Sequence, residues 1–462
     1  MSAQTCISPV DGRVYVERSP ANPAAIEAAL KAARAAQREW RRVSVEKRAA
    51  YCTAAVEAML GFADAIPAEL AWQMGRPVRY GAGELRGFAE RARHMIAIAE
   101  DALAPLDPGP KAGFRRWISR EPLGLVLTIA PWNYPFLTAV NSVVPALMAG
   151  NAVWLKHSAQ TPLVGERFQQ AFDKAGLPAG LFQNLVLTHE QAAALISSRS
   201  VDQVCFTGSV AGGKAIEAAA SGRFLGVGLE LGGKDPGYVR ADADLAHAID
   251  SLVDGAFFNS GQSCCGIERI YVEAPVYDAF VEGAVELTRQ YVLGDPLDVA
   301  TTLGPMVRAE AAGFVRGQIA EAVRAGGRAL LDPRAFPCDK EGTPYMAPQI
   351  VVDVDHGMSL MVEESFGPVV GIMKVSGDAE AIRLMNDSPY GLTAALFTRD
   401  VEAAARIGDE IETGTVFLNR CDYLDPALAW TGVKDTGRGA TLSQVGYETL
   451  TRPKSFHFKL PG

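Results

Sequence analysis

From Gly124 onward the chain alternates short apolar runs with stretches of helical spacing, and this alternation restricts its fold more than any other feature. Residues 125–129, 152–155, 185–187 and 203–206 read as strands, with helices expected at 162–175, 189–197 and 210–220. Runs this short and this apolar need cover on both faces, which is how a parallel sheet is buried. The helical segments between them supply the crossovers that parallel neighbours require. A second alternating region runs from Asp242 to Val416, with strands expected at 369–375, 393–397 and 415–419 and helices at 307–325, 377–386 and 400–410. The two regions meet in the glycine-rich stretch 226–237. The expected fold class is therefore α/β, in two parallel-sheet halves.

The rest of the chain fits around this frame. Residues 23–60 are alanine-rich with apolar positions at helical spacing and read as two helices, and 82–103 as a third. Turn chemistry at 106–113 leads into a short strand at 115–120, and an edge strand is expected within 448–460. A length of 462 residues suits about three domains' worth of chain. The net charge of −9 removes the electrostatic drive for binding nucleic acid. The apolar stretch 138–155 is broken by Asn141, Ser142, Pro145 and Asn151, so no membrane helix is expected, and no signal-peptide core precedes it. Seven cysteines without CxxC spacing or a cysteine–histidine cluster argue for reduced thiols, no metal and a cytoplasmic setting.

Three residues stand in settings that suit chemistry. Cys264 closes FFNSGQSC, a polar turn after an apolar stretch, where exposed amides would favour a thiolate. Glu230 sits between leucines in LELGGK. Burial there would raise its pKa toward that of a general base, unless it simply pairs with Lys234. Asn133 lies in PWNYP, directly after an expected strand, where its amide could donate to an oxyanion or cap a helix. Lys156 ends another apolar run, either as a solvated strand-end lysine or facing a ligand. FTGS at 206–209 leads into a helix, an arrangement that aims amides at phosphate, although GSVAGG is not the dinucleotide fingerprint. None of the six histidines has a motif-like setting.

Taken in order, PWNYP at 131–135, LK at 155–156, FTGS at 206–209, LELGGK at 229–234, FFNSGQSC at 257–264, EESFGP at 363–368, YGL at 390–392 and GVKDTGRG at 432–439 resemble the aldehyde dehydrogenase superfamily over nearly the whole chain. The resemblance implies a nucleophile at Cys264, an oxyanion hole from Asn133 and the Cys264 N–H, and Glu230 activating the water that hydrolyses the thioester. It implies an NAD or NADP site in which Lys156 meets the adenosine ribose, Ser209 the pyrophosphate and Glu364 the nicotinamide ribose. Phe366 would lie beside the ring, Trp132 and Leu231 would line the cleft, and Ser158, Ala159, Gly208 and Gly213 would complete the cofactor set. It also implies a Rossmann-like cofactor domain at 1–104 and 123–229 and a catalytic domain at 230–446. A bridging element at 105–122 and 447–462 would build a homodimer or homotetramer. The expected reaction oxidises a small aldehyde to its acid.

The chain departs from the family pattern at a few positions. Ala159 stands where NAD-preferring members carry a glutamate, which implies that NADP is tolerated with His157 and Lys156 near its phosphate. Asn141 replaces a common aromatic of the substrate tunnel. In the loop Arg420 to Pro426, Asp422 and Asp425 would either favour a cationic or hydroxylated aldehyde or pair with Arg420. A coenzyme-A-acylating relative is the alternative enzyme, disfavoured by Glu230. A non-catalytic protein on the same fold is disfavoured by the presence of Cys264, Asn133 and Glu230 together.

Overall fold

A computed structural model of the chain describes residues 3–421 and 423–461. The alternating pattern forms two open sheets. The first has six strands in the order Gly437–Arg438, Gly226–Glu230, Gln203–Thr207, Leu125–Ala130, Ala152–His157 and Phe182–Asn184. Neighbours are parallel except Gly437–Arg438, which runs antiparallel to Gly226–Glu230. Every residue of Leu125–Ala130 and Ala152–His157 is buried, so helices cover both faces of this sheet.

The second sheet has seven strands in the order Arg328–Ala329, Gln349–Val352, Val369–Val375, Ile267–Glu273, Asp235–Val239, Thr393–Phe397 and Thr415–Leu418. Only Arg328–Ala329 is antiparallel to its neighbour. Alternate residues feed separate cores, as the two-residue period of a strand requires. Val239, Ile270, Val272, Val370 and Ile372 face one cluster, while Tyr238, Tyr271, Val369 and Val375 face the other. Beyond both sheets, Phe114–Pro122 pairs antiparallel with Thr451–Lys459 along its whole length.

Three elements differ from the sequence reading. The run 185–187 is not the strand; Phe182–Asn184 is. Val186 turns its carbonyl to the Ala21 N–H at 2.9 Å, and Leu187 is fully buried in that connection, so the apolar residues mark a packed loop. The second sheet starts at Asp235, ahead of the expected Asp242, because the apolar strand follows the glycines directly. An additional helix, Ile66–Met74, buries Ile66, Leu70 and Met74 one turn apart and ends at Gly75 in the left-handed conformation. The helix that follows, Val78–Ala102, presents Leu85, Phe88, Ala92, Met95 and Ala99 to the core. Glu84 and Arg91, two turns apart, are buried on it as well.

Candidate active site

Asn133, Lys156, Ser209 and Glu230 all lie at or just past the carboxyl ends of adjacent parallel strands of the first sheet. Open α/β sheets bind ligands at that edge. Cys264 arrives from the other sheet, between the helix Leu245–Phe257 and the strand Ile267–Glu273. Its approach is a tight turn in which Asn259, Ser260 and Gly261 all have positive φ, at 55°, 57° and 68°. Such backbone costs energy and persists only where neighbours over-determine it. Here Ser260 Oγ donates to Gly304 O at 2.7 Å, and Gln262 Oε1 accepts from Val307 N at 2.7 Å. A Cβ on Gly261 would lie 2.1 Å from Gly367 O, so only glycine fits.

The loop carrying Asn133 rests on a buried ion pair. Arg76 pairs with Glu84, and both are almost fully inaccessible. Arg76 also donates to Asn133 O and to Asn259 Oδ1, and its guanidinium lies 4.5 Å over the Tyr134 ring. Glu84 in turn accepts from the N–H groups of Phe136 and Leu137 at 2.9 and 3.2 Å, replacing a cap at the start of the helix Pro135–Met148. Asn133 is therefore not that helix's cap. Its Nδ2 donates to Gln262 O at 3.3 Å, on the turn that leads to Cys264.

Glu230 does not pair with Lys234. Its two carboxylate oxygens accept from Thr441 Oγ1 at 2.5 Å and Thr207 Oγ1 at 2.9 Å. Burial raises its pKa above the usual carboxylate value, while those two bonds and the Arg91 charge pull it back. Lys234 instead pairs with Glu268 at 2.5 Å and donates to Ser365 Oγ at 3.0 Å. Glu268 accepts from the N–H groups of Ser365 and Phe366 at 2.7 and 2.9 Å, and so fixes the loop that carries Glu364 and Phe366.

Two cavities meet at the thiol. A narrow one of about 70 Å³ is lined by Arg91, Tyr134, Leu137, Thr138, Asn141, Leu424 and Trp430. A wider cleft of about 280 Å³ is lined by Trp132, Asn133, Gly208, Ser209, Leu231, Gly232, Glu364 and Phe366. Thr207, Glu230 and Cys264 border both. The thiolate is not favoured in this setting, contrary to the sequence expectation. A hydrogen bond with Cys265, then burial, then the carboxylates of Asp235 and Glu230 hold the Cys264 pKa well above the ordinary thiol value.

The aldehyde dehydrogenase family model matches residues 2–456. The chain belongs to the aldehyde dehydrogenase family. Members are oxidoreductases that take aldehydes to acids with NAD or NADP. The chain is 33% identical over 454 residues to the NADP-type succinate-semialdehyde dehydrogenase of Mycolicibacterium paratuberculosis, covering 97% of this chain and 95% of that protein. It is 34% identical over 458 residues to the 3,6-anhydro-alpha-L-galactose dehydrogenase of Streptomyces coelicolor, covering 98% and 92%. The NADP-dependent glyceraldehyde-3-phosphate dehydrogenase of Bacillus halodurans, solved with NADP, superposes with a TM-score of 0.93 at 30% identity, covering 100% and 96%. The indole-3-acetaldehyde dehydrogenase of P. syringae, solved with NAD+, gives 0.93 at 31% identity, covering 99% and 94%.

The cofactor residues expected of an aldehyde dehydrogenase are distributed along the wider cleft and the strand end beside it. Trp132 and Phe366 meet edge to face at 5.7 Å. Glu364 accepts from Gly233 N at 3.0 Å, and a Cβ on Gly232 would fall 2.4 Å from its oxygens. Burial and the Glu268 charge push the Glu364 carboxyl up to about 8. Ser209 caps the helix Val210–Ala220 by accepting from Gly212 N at 3.1 Å, and Gly213 lets that helix close on Leu231. Lys156 is buried rather than solvated, and its ammonium makes no hydrogen bond or ion pair among the described residues. Ser158 and Ala159 follow on a half-buried loop. His157 is not a phosphate ligand, because its ring is buried between Pro135 O at 3.3 Å and Thr161 Oγ1 at 3.1 Å. Burial also lowers its pKa to about 4, so it carries no charge at neutral pH.

In the loop after Leu418, Arg420 lies 4.1 Å over the Tyr423 ring, and Tyr423 donates to Glu90 at 2.6 Å. Asp425 accepts from Ala427 N within a turn and forms no pair with Arg420 among the described residues. Asp422 lies outside the described residues. The charged groups lining the narrow cavity are Arg91 and Glu230. Sequence reasoning missed Arg76, Glu84, Arg91, Thr207, Glu268 and Thr441. For Glu84 and Arg91 a signal existed: both fall on the apolar face of a helix that the spacing had located.

Proposed function

We propose that the chain oxidises an aldehyde to its carboxylic acid with NAD or NADP, through a thioester on Cys264. The observation that supports this best is the shared border of the two cavities, where one thiol faces a substrate-sized space on one side and a cofactor-sized cleft on the other. The residues of the cleft fit a nicotinamide dinucleotide. Lys156, at the end of the strand Ala152–His157, has a mostly buried side chain whose ammonium has no acceptor among the described residues, and the helix Val210–Ala220 opens on the cleft with first-turn amides suited to phosphate. Gly208, Gly213, Leu231 and Glu364 shape the wall between them. Ala159 places no carboxylate near the ribose, which supports use of NADP as well as NAD.

In this reading the Cys264 thiol passes its proton to solvent through the cavities it borders, and Sγ bonds to the aldehyde carbon as the carbonyl π pair moves onto oxygen. The carbonyl oxygen gains charge where Asn133 Nδ2 and the Cys264 N–H are available to donate. The bound cofactor supplies the two-electron acceptor for the aldehyde C–H, leaving an acyl group on Sγ. Glu230, held by Thr207 and Thr441, then takes a proton from the water that attacks the thioester, freeing acid and thiol. The cofactor domain would comprise 1–104 and 123–229, and the catalytic domain 230–446, a division that follows the two sheets except for the strand Gly437–Arg438, which adds to the first. The ribbon of 105–122 and 447–462 would join copies into a homodimer or homotetramer. Its Trp117–Phe456 stack at 4.3 Å and half-exposed Phe458 support that role. No disulfide joins two cysteines among the described residues, which supports a reducing, cytoplasmic setting.

Two variants test the chemistry. Cys264→Ala should remove reduced-cofactor formation with every aldehyde, and retained turnover above a hundredth of wild type would overturn the reading. Glu230→Gln should keep a stoichiometric burst of reduced cofactor while steady turnover falls roughly 100-fold, since only deacylation needs the base.

A further inference from the structure

We propose that Arg91 binds a carboxylate at the far end of the substrate, so that the aldehydes taken are short ω-oxo acids; this rests on the dehydrogenase reading above. Arg91 is only 8% exposed, yet it forms no ion pair among the described residues. Its Nη1 donates to Leu137 O at 3.0 Å and Asn141 Oδ1 at 3.3 Å, both neutral acceptors. Its Nε and Nη2 donate to nothing among the described residues. A guanidinium stays charged wherever it is placed, so burying one without a counter-ion is costly unless a ligand completes it.

The nearby carboxylates are committed elsewhere. Glu84 is held by Arg76 and by two amides, and Glu230 by two threonines. Arg91 lines the same narrow cavity as Cys264. A planar guanidinium with two unused donors matches a carboxylate in bidentate fashion. The same cavity is also lined by Tyr134, Leu137, Leu424 and Trp430, surfaces suited to a methylene chain. The cavity of about 70 Å³ holds roughly five water-sized bodies, which restricts that chain to a few carbons. Asn141, smaller than the aromatic common at its position, leaves room for the guanidinium and braces it.

The test compares kcat/KM for succinate semialdehyde and butanal, four-carbon aldehydes that differ at the far end. Wild type should prefer the oxo acid by at least 100-fold. In Arg91→Met the preference should fall below tenfold, chiefly through KM, and Arg91→Lys should restore part of it. A wild-type preference below tenfold, or one that survives in Arg91→Met, overturns the proposal. Oxidation of butanal without preference breaks this inference alone, whereas a wild type that oxidises neither aldehyde breaks the dehydrogenase reading too. Should Arg91→Met fail to fold, inhibition of wild-type butanal oxidation decides. Competitive inhibition by succinate with 1,4-butanediol inert supports the proposal, and equal inhibition overturns it.

Discussion

Arg76 and Lys234 lie behind the loops that carry Asn133, Glu364 and Phe366, whereas Arg91 lines the narrow cavity and Lys156 stands at a strand end of the first sheet. All four cations are buried. The two behind are paired with Glu84 and Glu268, whose remaining capacity goes to the backbone amides of the loops they support. The other two have no carboxylate partner among the described residues. A buried charge that is paired and hydrogen-bonded fixes geometry, whereas one left incomplete is a standing demand for a ligand. Burial alone therefore does not separate scaffold from binding site. Nor does the lack of a carboxylate, since Arg48 and Arg269 are buried without one among the described residues and donate to carbonyls and a hydroxyl instead. What sets Arg91 and Lys156 apart is donors left unused.

The comparison breaks first if the paired side proves dispensable. Glu84→Gln leaves Arg76 without its counter-ion and should cost about 3–5 kcal/mol in urea-induced unfolding. Activity should fall with it, because Asn133 and the start of its helix lose their support. A cost below about 1 kcal/mol would mean that the pair does not hold the loop.

A pH series sharpens the contrast with a third solution to burial. His157 neighbours Lys156 but escapes the charge problem by staying neutral. As pH falls through 6.5 the unfolded imidazole protonates, while the folded one resists until about 4. The unfolded state then binds more protons, so stability drains away across that window by about 3 kcal/mol, with no further loss from this group below it. The slope of unfolding free energy against pH between 4 and 6.5 should flatten in His157→Asn relative to wild type.

The smallest effect on stability is expected on the unpaired side. Lys156→Met removes an uncompensated buried ammonium and should change unfolding free energy by no more than about 1 kcal/mol, with a gain as the expected sign. It should nonetheless raise the KM for NADP roughly tenfold, the worth of one charge-assisted hydrogen bond. A stability loss as large as that of Glu84→Gln would erase the distinction between the two sides.

The sheets were legible because burial on both faces writes itself into consecutive apolar residues, as in 125–129 and 393–397. The strand Phe182–Asn184 is hard to place from sequence because two of its three residues are polar while the next three, Leu185 to Leu187, are all apolar, and only a distant partner, Ala21, decides that those form a loop. At the site, Asn133, Glu230 and Cys264 were readable from local motifs. Their supports were not. Glu230 is oriented by Thr207 and Thr441, which stand 23 and 211 residues away, and nothing near a threonine in sequence announces such a contact. The Cys264 pKa runs opposite to the sequence expectation because local sequence shows Cys265 next to it but not the hydrogen bond between the two thiols, nor the burial, that hold the pKa up.

The antiparallel strand Gly437–Arg438, added to the edge of the first sheet beside Glu230, also sets an order of events. Gly437 registers with Glu230, and Thr441 just beyond it grips the carboxylate. Chains emerge from the ribosome N-terminus first. By the time residue 420 has been made, the Cys264 thiol and the Asn133 amide both exist, yet the Glu230 carboxylate still lacks one of its two holds. Under the proposed mechanism a chain interrupted there would carry its nucleophile without a fully seated base. Glu230 is fully seated only when the segment beyond Gly437 docks.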